Sequence, residues 1–443
     1  MSAALVLAEA GQTVDLFERS RALGGRAGSL LNRRAGTAMD RGQHVLLGCC
    51  TNLLDFYRRI GGLDRINFLD SLPFIGRDGR VTVMSESFLP EPLHLLPSLL
   101  RSPHLSRRDK LRTPKLLKAA LRCPDADVAC AQWLIRMGQS KEAITGFWEP
   151  VLAGALNEGL DRASAGYAAK VIREALVVNR AGFRMGVADV PLSELHGTMA
   201  RNALERRGVR VHLGQTVRQL TVIGSRVDRA DTTDGEPVGA THFVVAVNPQ
   251  TAPILPDANS AEPRFVYAPG VNLYFWFEDD VGVPPAFCLP GRRFQWGFNR
   301  TAIATLPENA RSAVVMVASA ARDLVSWREK DVLSLGIEEL RSAFPRLSFV
   351  PLACSTVLKI RSATFSPVPG CDGNRPGQRT AISNLHLAGD WTNTGWPSTM
   401  EGAVRSGYLC ARDVLAAEGI ESRLPIADLP RRGLFRWFGR PSL

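Results

Sequence analysis

Nowhere in these 443 residues does an apolar run approach the ~18 positions that a membrane-crossing helix needs, so a transmembrane helix is excluded. The opening Met1–Ala10 is apolar but has no positive leader and carries Glu9, and it does not read as a signal peptide. The eight cysteines, at 49, 50, 123, 130, 288, 354, 371 and 410, form no CxxC pair and no repeated spacing. Neither a zinc site nor a disulfide framework is supported, and reduced thiols in a cytoplasm are the expected state. What remains is an ordinary globular composition, 45% hydrophobic and 22% charged, in a chain long enough for two or three cores.

The formal charge of +11 is the one excess. Nucleic acid, an anionic membrane surface and plain solubility compete to explain it. Arg101 to Arg122 holds eight Lys or Arg against the single acid Asp109, interleaved with Leu105, Leu111, Leu116, Leu117 and Leu121. It follows the Pro- and Leu-rich run Phe88–Leu100. A basic amphipathic helix after an apolar loop suits an interfacial membrane contact over 88–122. A solvated helix packed by its leucines is the competing reading. No nucleic-acid motif accompanies the charge, so no nucleic-acid partner is expected. The tail Arg431–Arg440 repeats the basic-aromatic theme, either as another contact or as a disordered end.

The richest stretch runs from Asn384 to Gly407. Leu385, Leu387 and Ala388 read as a short buried strand ending at Gly389-Asp390; a Gly- and Trp-containing loop follows, and then a helix from Met400 to Ala416. Such a sequence sets a carboxylate and a helix N-terminus against one ligand, and the free N–H groups of the helix suit an anion or a polarised carbonyl. At the other end of the chain, residues 2–10 read as a helix closed by Gly11, then Thr13–Phe17 as a strand with Glu18 at its end, then Gly24-Gly25-Arg26. Helix, strand and terminal acid make the second half of a dinucleotide-binding unit, in which the carboxylate takes ribose hydroxyls and the glycine turn admits a pyrophosphate. The first strand and G-x-G-x-x-G turn of such a unit would lie upstream of Met1, so the chain is expected to be N-terminally truncated.

Between these ends a helix over Thr51–Ile60 leads into a largely helical region reaching about Ala181. Strands are expected over Val209–Leu213, Thr216–Leu220 and Phe243–Val247, with two short strands about a turn at Asp234-Gly235. Val271–Phe277, Phe294–Phe298 and Val314–Ala318 read as an antiparallel sheet whose aromatics either line an apolar cavity or fill the sheet core.

The two ends resemble the FAD-dependent amine oxidase and phytoene desaturase superfamily. Within it, four stretches are similar to its squalene-associated branch, the hydroxysqualene dehydroxylases of hopanoid biosynthesis. They are Asp40–Val45 around Gln43-His44, Phe147–Pro150 with Ala155–Glu158, Ala363–Pro367, and Gly389–Ala403. The resemblance, which runs from residue 2 to about 416, implies an α/β fold: a Rossmann-like FAD-binding domain of the glutathione-reductase type, an antiparallel substrate domain and a helical insert. On that basis 1–48, 186–255 and 371–418 are FAD-binding segments, 49–185 a helical substrate- or membrane-facing region, 256–370 the substrate sheet and 419–443 a basic tail. The implied activity is reductive dehydroxylation of hydroxysqualene to squalene with reduced FAD as hydride donor, on a cytoplasmic protein resting peripherally on the inner face of the membrane; the electron donor is not read.

Carried over by position, Glu18 binds the adenosine ribose, Gly24, Gly25 and Arg26 lie near the pyrophosphate, and Val217 holds the adenine. Gly389 and Asp390 bind the ribityl–pyrophosphate region, and Thr399, Met400 and Glu401 approach the flavin ring. For catalysis Gln43, His44 and Lys359 are the candidates: His44 as proton donor or as a structural histidine, Lys359 as polariser of the leaving hydroxyl or as surface charge. Competing functions are an isoprenoid desaturase or amine oxidase of the same fold, or a non-catalytic fragment.

Overall fold

The computed structural model describes residues 1–122, 124, 127–251, 265–304 and 312–433. Its first helix, Ser2–Glu9, is Ala-, Leu- and Val-rich and buried from Ser2 to Leu7, because it is packed against the C-terminal helix Met400–Ala417. Gly407 makes that packing close: a Cβ there would sit 2.1 Å from the Ser2 hydroxyl. Gly11, at φ +81°, turns the chain into the strand Asp15–Glu18, which pairs in parallel with Arg210–Leu213 so that Glu18 lies opposite Leu213. A second parallel pair joins Phe243–Val245 to Leu385–Leu387. The loops that leave these pairs meet in space, as ligand sites of open α/β sheets do.

The other half is a seven-stranded sheet in the order 352–365, 267–277, 312–318, 296–299, 286–288, 71–75, 81–85. Tyr267–Phe277 runs antiparallel to Leu352–Phe365, and side chains alternate between its faces. Val271, Leu273, Phe275 and Phe277 join the core under the helix Glu329–Ala343. Asn272, Tyr274 and Trp276 point the other way, where Tyr274 stacks on Trp276 and Trp296 on Phe298 inside the main core. Of the two readings of these aromatics, the structure shows a packed sheet core.

The stretch 66–85, expected within the helical region, instead forms the strands Ile66–Leu69, Ser71–Ile75 and Val81–Ser85. Val81-Thr82-Val83 is β-branched throughout and suits a pleated edge, and the hairpin adds to the sheet through one parallel pairing, Phe74 with Cys288. The basic segment is two helices, Leu96–Arg101 and Arg107–Leu121. A capping box at Ser106 and Asp109 starts the second, so the segment's single acid is buried and engaged in the cap. Residues 419–433 pack on the body, where Ile426 exchanges two hydrogen bonds with the Asn52 side chain (2.8 and 3.0 Å). The rest of the basic-aromatic tail lies outside the described residues. No helix among the described residues is long and apolar enough to cross a membrane.

Candidate active site

Arg26 is the hub. Its guanidinium donates to the Asp390 carboxylate and to the Ala363 carbonyl (3.0 Å), so one side chain ties the glycine turn, the 389–403 stretch and the 363–367 stretch together. Asp390 also accepts from the Ser398 hydroxyl, and its side chain is 8% exposed against 42% for Arg26. The turn itself is tight. Gly24 has φ +109°, and a Cβ there would lie 3.0 Å from the Ala27 carbonyl and 3.3 Å from the His196 Cβ. Gly389 has φ +125°, and a Cβ there would press within 2.6 Å of the Trp391 ring.

The helix after the loop is capped by Thr399, whose hydroxyl accepts the Gly402 N–H at 3.0 Å. Met400 lies at its first turn, 3.9 Å by its sulfur from the Tyr57 hydroxyl. Glu401 turns elsewhere. Its carboxylate accepts from the Leu53 N–H (2.8 Å) and the Asn52 amide (2.9 Å), capping a helix, Thr51–Ile60, whose own N-cap Cys50 supplies no side-chain bond. Burial raises the Glu401 carboxyl above the usual range, while Arg405 and these donors pull it back down.

Glu18 stands at the end of its strand, with one carboxylate oxygen accepting from the Ser20 N–H and hydroxyl (2.8 and 2.7 Å). Its carbonyl receives the Gln215 N–H at 3.1 Å, which brings the start of the Val217–Ile223 strand alongside. Gln43 and His44 lie in a turn held on the sheet by the Gln43 N–H, which donates to the Asn272 side chain at 3.1 Å. Gly42 Cα sits over the same patch: an added Cβ would meet Asn272 at 3.3 Å and Ile360 at 3.4 Å. His44 Nδ1 lies 2.8 Å from the Gly42 carbonyl, which can only accept, so Nδ1 carries a proton. Burial lowers the His44 pKa and nearby Arg26 lowers it further, with the Gly42 bond and Asp40 opposing them. Lys359 is not brought to this turn. It pairs with Val271 on the opposite sheet face from Asn272 and Ile360, and its amine donates to the Trp327 carbonyl.

Sequence reasoning passed over Arg375, which is 5% exposed and donates to the carbonyls of Asp390 (3.1 Å) and Thr392 (2.5 Å), setting the curve of the loop. It also passed over His196, which links the Ala27 carbonyl (2.7 Å) to the Tyr57 hydroxyl (2.9 Å) behind the glycine turn. The signature Asn157-Glu158 proves to be a latch between the insert and the sheet. Asn157, left-handed at φ +51°, donates to the Thr364 hydroxyl (3.0 Å) and accepts from the Ala320 N–H (3.1 Å). Glu158, fully buried, takes Arg322 and the Ser366 hydroxyl. Phe147 and Trp148 pack edge to face in the core, with the Trp148 indole N–H on Gln139 at 2.8 Å.

Two parallel strand pairs whose loops converge on an acid, a glycine turn and a capped helix start, beside an antiparallel sheet, form the kind of site that a flavin-dependent oxidoreductase builds around its cofactor. The family model for flavin-containing amine oxidoreductases matches residues 1–415. The chain belongs to that family and is a FAD-dependent oxidoreductase. It is similar to the hydroxysqualene dehydroxylase of Rhodopseudomonas palustris, 31% identical over 94% of this chain and 96% of that one. A protein of the same name from Zymomonas mobilis is 25% identical, at 93% and 95% coverage. The zeta-carotene desaturase of Arabidopsis thaliana is 24% identical, at 93% and 83%. A solved putrescine oxidase shares the fold, with a TM-score of 0.72 and 16% identity over 94% of this chain and 96% of its own.

The residues present fit FAD. Gly24 and Gly389 hold the close, left-handed turns that let backbone approach a ligand, and Gly402, whose Cβ would lie 2.7 Å from the Pro397 carbonyl, lets the loop close over the helix start. Glu18 and Val217 would hold the adenosine end, Gly24, Gly25 and Arg26 the pyrophosphate, and Asp390, Thr399 and Met400 the ribityl and ring end. Glu401 would support that ring end from behind, through the Thr51–Ile60 helix.

Proposed function

We propose that this protein removes the allylic hydroxyl of hydroxysqualene reductively to give squalene. The observation that carries the reading is the convergence of its signature stretches: 26, 363 and 390 through Arg26, and 157–158 with 364–366 through the Asn157 and Glu158 bonds. The likeness to three hydroxysqualene dehydroxylases across 93–94% of the chain supports the same substrate. We assign 1–48, 186–255 and 371–418 to the FAD side and 256–370 to the substrate side, with 49–185 facing the lipid.

Bound in reduced form, FAD supplies a hydride to the allylic carbon. The chain must supply a proton to the departing oxygen and keep bulk water from the cation left behind. His44 suits the proton's role. With Nδ1–H on Gly42, Nε2 is its free ring nitrogen, and only the imidazolium form carries a proton there. Burial lowers the pKa, so that form is scarce near neutrality and grows as pH falls, and the dehydroxylation rate rises with it. Gln43, fixed through Asn272, sets the turn's position.

A lipid substrate also accounts for the 88–122 face, which we assign to the surface of the membrane's inner leaflet. Phe88 is 90% exposed, Leu100 54% and Leu111 80%, among exposed Arg101, Arg107, Arg108 and Arg112. The likeness to zeta-carotene desaturases favours a second reading, oxidative desaturation of a long isoprenoid on the same scaffold. Anaerobic incubation with hydroxysqualene and reduced FAD, followed by lipid extraction, separates them: squalene supports the dehydroxylase, and desaturation of a polyene by oxidised enzyme without any squalene supports the rival.

A further inference from the structure

A cleft of about 500 Å³ opens between the Arg107–Leu121 helix and the Cys130–Arg136 helix, and the flavin reading does not use it. Its floor is apolar, made chiefly by Trp133, which is 4% exposed, and Met137. Its rim carries four cations, Lys115, Lys118, Arg122 and Arg136, and among the described residues its lining has no carboxylate. Among the described residues none of the four is held in an ion pair.

A greasy floor beneath an unpaired cationic rim suits an amphiphile with an anionic head. The volume lies in the range of small-molecule sites and accommodates a headgroup with the first part of its chain. Position selects the source. Lys115, Lys118 and Arg122 continue the exposed row Arg108, Leu111 and Arg112 of the same helix, so the cleft opens beside the face already assigned to the membrane.

We infer that this cleft binds one anionic phospholipid, its phosphate among Lys115, Lys118, Arg122 and Arg136 and its proximal chain on Trp133 and Met137. The orientation of the bound protein then comes from a seated lipid rather than from diffuse charge alone. The inference rests on the membrane-face reading for its ligand source and is independent of the reaction catalysed.

Dihexanoyl-phosphatidylglycerol, kept monomeric below its micellar concentration, tests it on the FAD-loaded protein by tryptophan fluorescence. A saturable change is expected that is absent in Trp133→Phe and weakened on the order of 25-fold in Lys118→Gln/Arg122→Gln, about fivefold per charge removed. Dihexanoyl-phosphatidylcholine and inorganic phosphate should bind at least tenfold more weakly. Equal binding of phosphatidylcholine removes the anionic rim from the account, and equal binding of phosphate reduces the cleft to an anion site; either overturns the inference. Ala119→Phe, which fills the cleft, should abolish the signal while leaving squalene formation from detergent-dispersed hydroxysqualene intact. Vesicles of phosphatidylcholine with phosphatidylglycerol give the separate arm: vesicle binding with no monomer binding keeps the membrane face and overturns the seated lipid.

Discussion

Replacing Glu401 distinguishes a residue that touches the flavin from one that builds the wall behind it. Its carboxylate is 1% exposed and caps a helix that has no cap of its own. In Glu401→Ala the Leu53 N–H, bonded at 2.8 Å, is left buried without an acceptor, at a cost of about 1–3 kcal/mol. Loss of a negative charge from the helix N-terminus adds about 0.5–1 kcal/mol, and the missing side-chain volume about 1 more. The sum is about 2.5–5 kcal/mol. Glu401→Gln keeps one acceptor oxygen and the volume, so about 1–2 kcal/mol is expected. At ~2.1 cal/mol/K per residue, 443 residues give an unfolding entropy of about 0.9 kcal/mol/K, so these losses become falls in Tm of about 3–5 °C and 1–2 °C. Circular dichroism melts of the FAD-loaded proteins read the shift, and potentiometric titration reads the flavin. Stability should rise in the order Ala, Gln, wild type, with the potential close to wild type in Gln. An Ala variant that melts within 1 °C of wild type while its flavin potential moves would refute the capping assignment.

Arg26→Met removes both the Asp390 and the Ala363 contacts; since the arginine is half exposed, the loss is discounted to about 1–2 kcal/mol, or roughly 5–30-fold weaker FAD binding by equilibrium dialysis. An unchanged Kd would place the FAD contact elsewhere. His44→Asn should lower single-turnover dehydroxylation and abolish the rise that the wild type shows as pH falls from neutrality through the depressed His44 pKa; a variant with the wild-type profile removes His44 as proton donor. Stability should also respond to acid. Burial depresses His94 and His386 from 6.5 to about 4, so between those values the unfolded chain binds more protons than the fold, and the stabilisation present above pH 6.5 is lost as pH falls through that window. A Tm that stays flat from pH 6.5 to 4 contradicts this.

Where local chemistry decides geometry, the sequence was readable. Leu385 to Leu387, Gly389-Asp390 and the Thr399 cap each have one comfortable conformation, and the strand, turn and helix appear where their residues require them. The same holds for Gly11 and for Gly61, which closes its helix at φ +75°. Long-range pairing decides the rest. Lys359 and Ile360 are neighbours in sequence, yet strand parity and the irregular register between Ala268 and Gly270 send only Ile360 toward Gly42. Arg375 lies in a stretch without a motif of its own, and its role emerges only when the Asp390 and Thr392 carbonyls and the Thr394 hydroxyl are folded around it. Glu401 sits in the flavin-facing motif, but its partners at 52 and 53 lie some 350 residues away, and no local pattern announces them. Of the strands between Ile66 and Ser85, Ile66–Leu69 finds its place against Met185–Ala188 and the 71–85 hairpin through Cys288, again distant partners.

The central claim is the reaction. Purified protein, loaded with FAD and reduced anaerobically, is mixed with hydroxysqualene in one turnover, and flavin reoxidation and squalene are followed together. The account predicts one squalene formed per flavin reoxidised, with deuterium appearing at the former carbinol carbon when the flavin is reduced with a deuteride donor in D₂O. Flavin that stays reduced, or reoxidises without squalene, would contradict it.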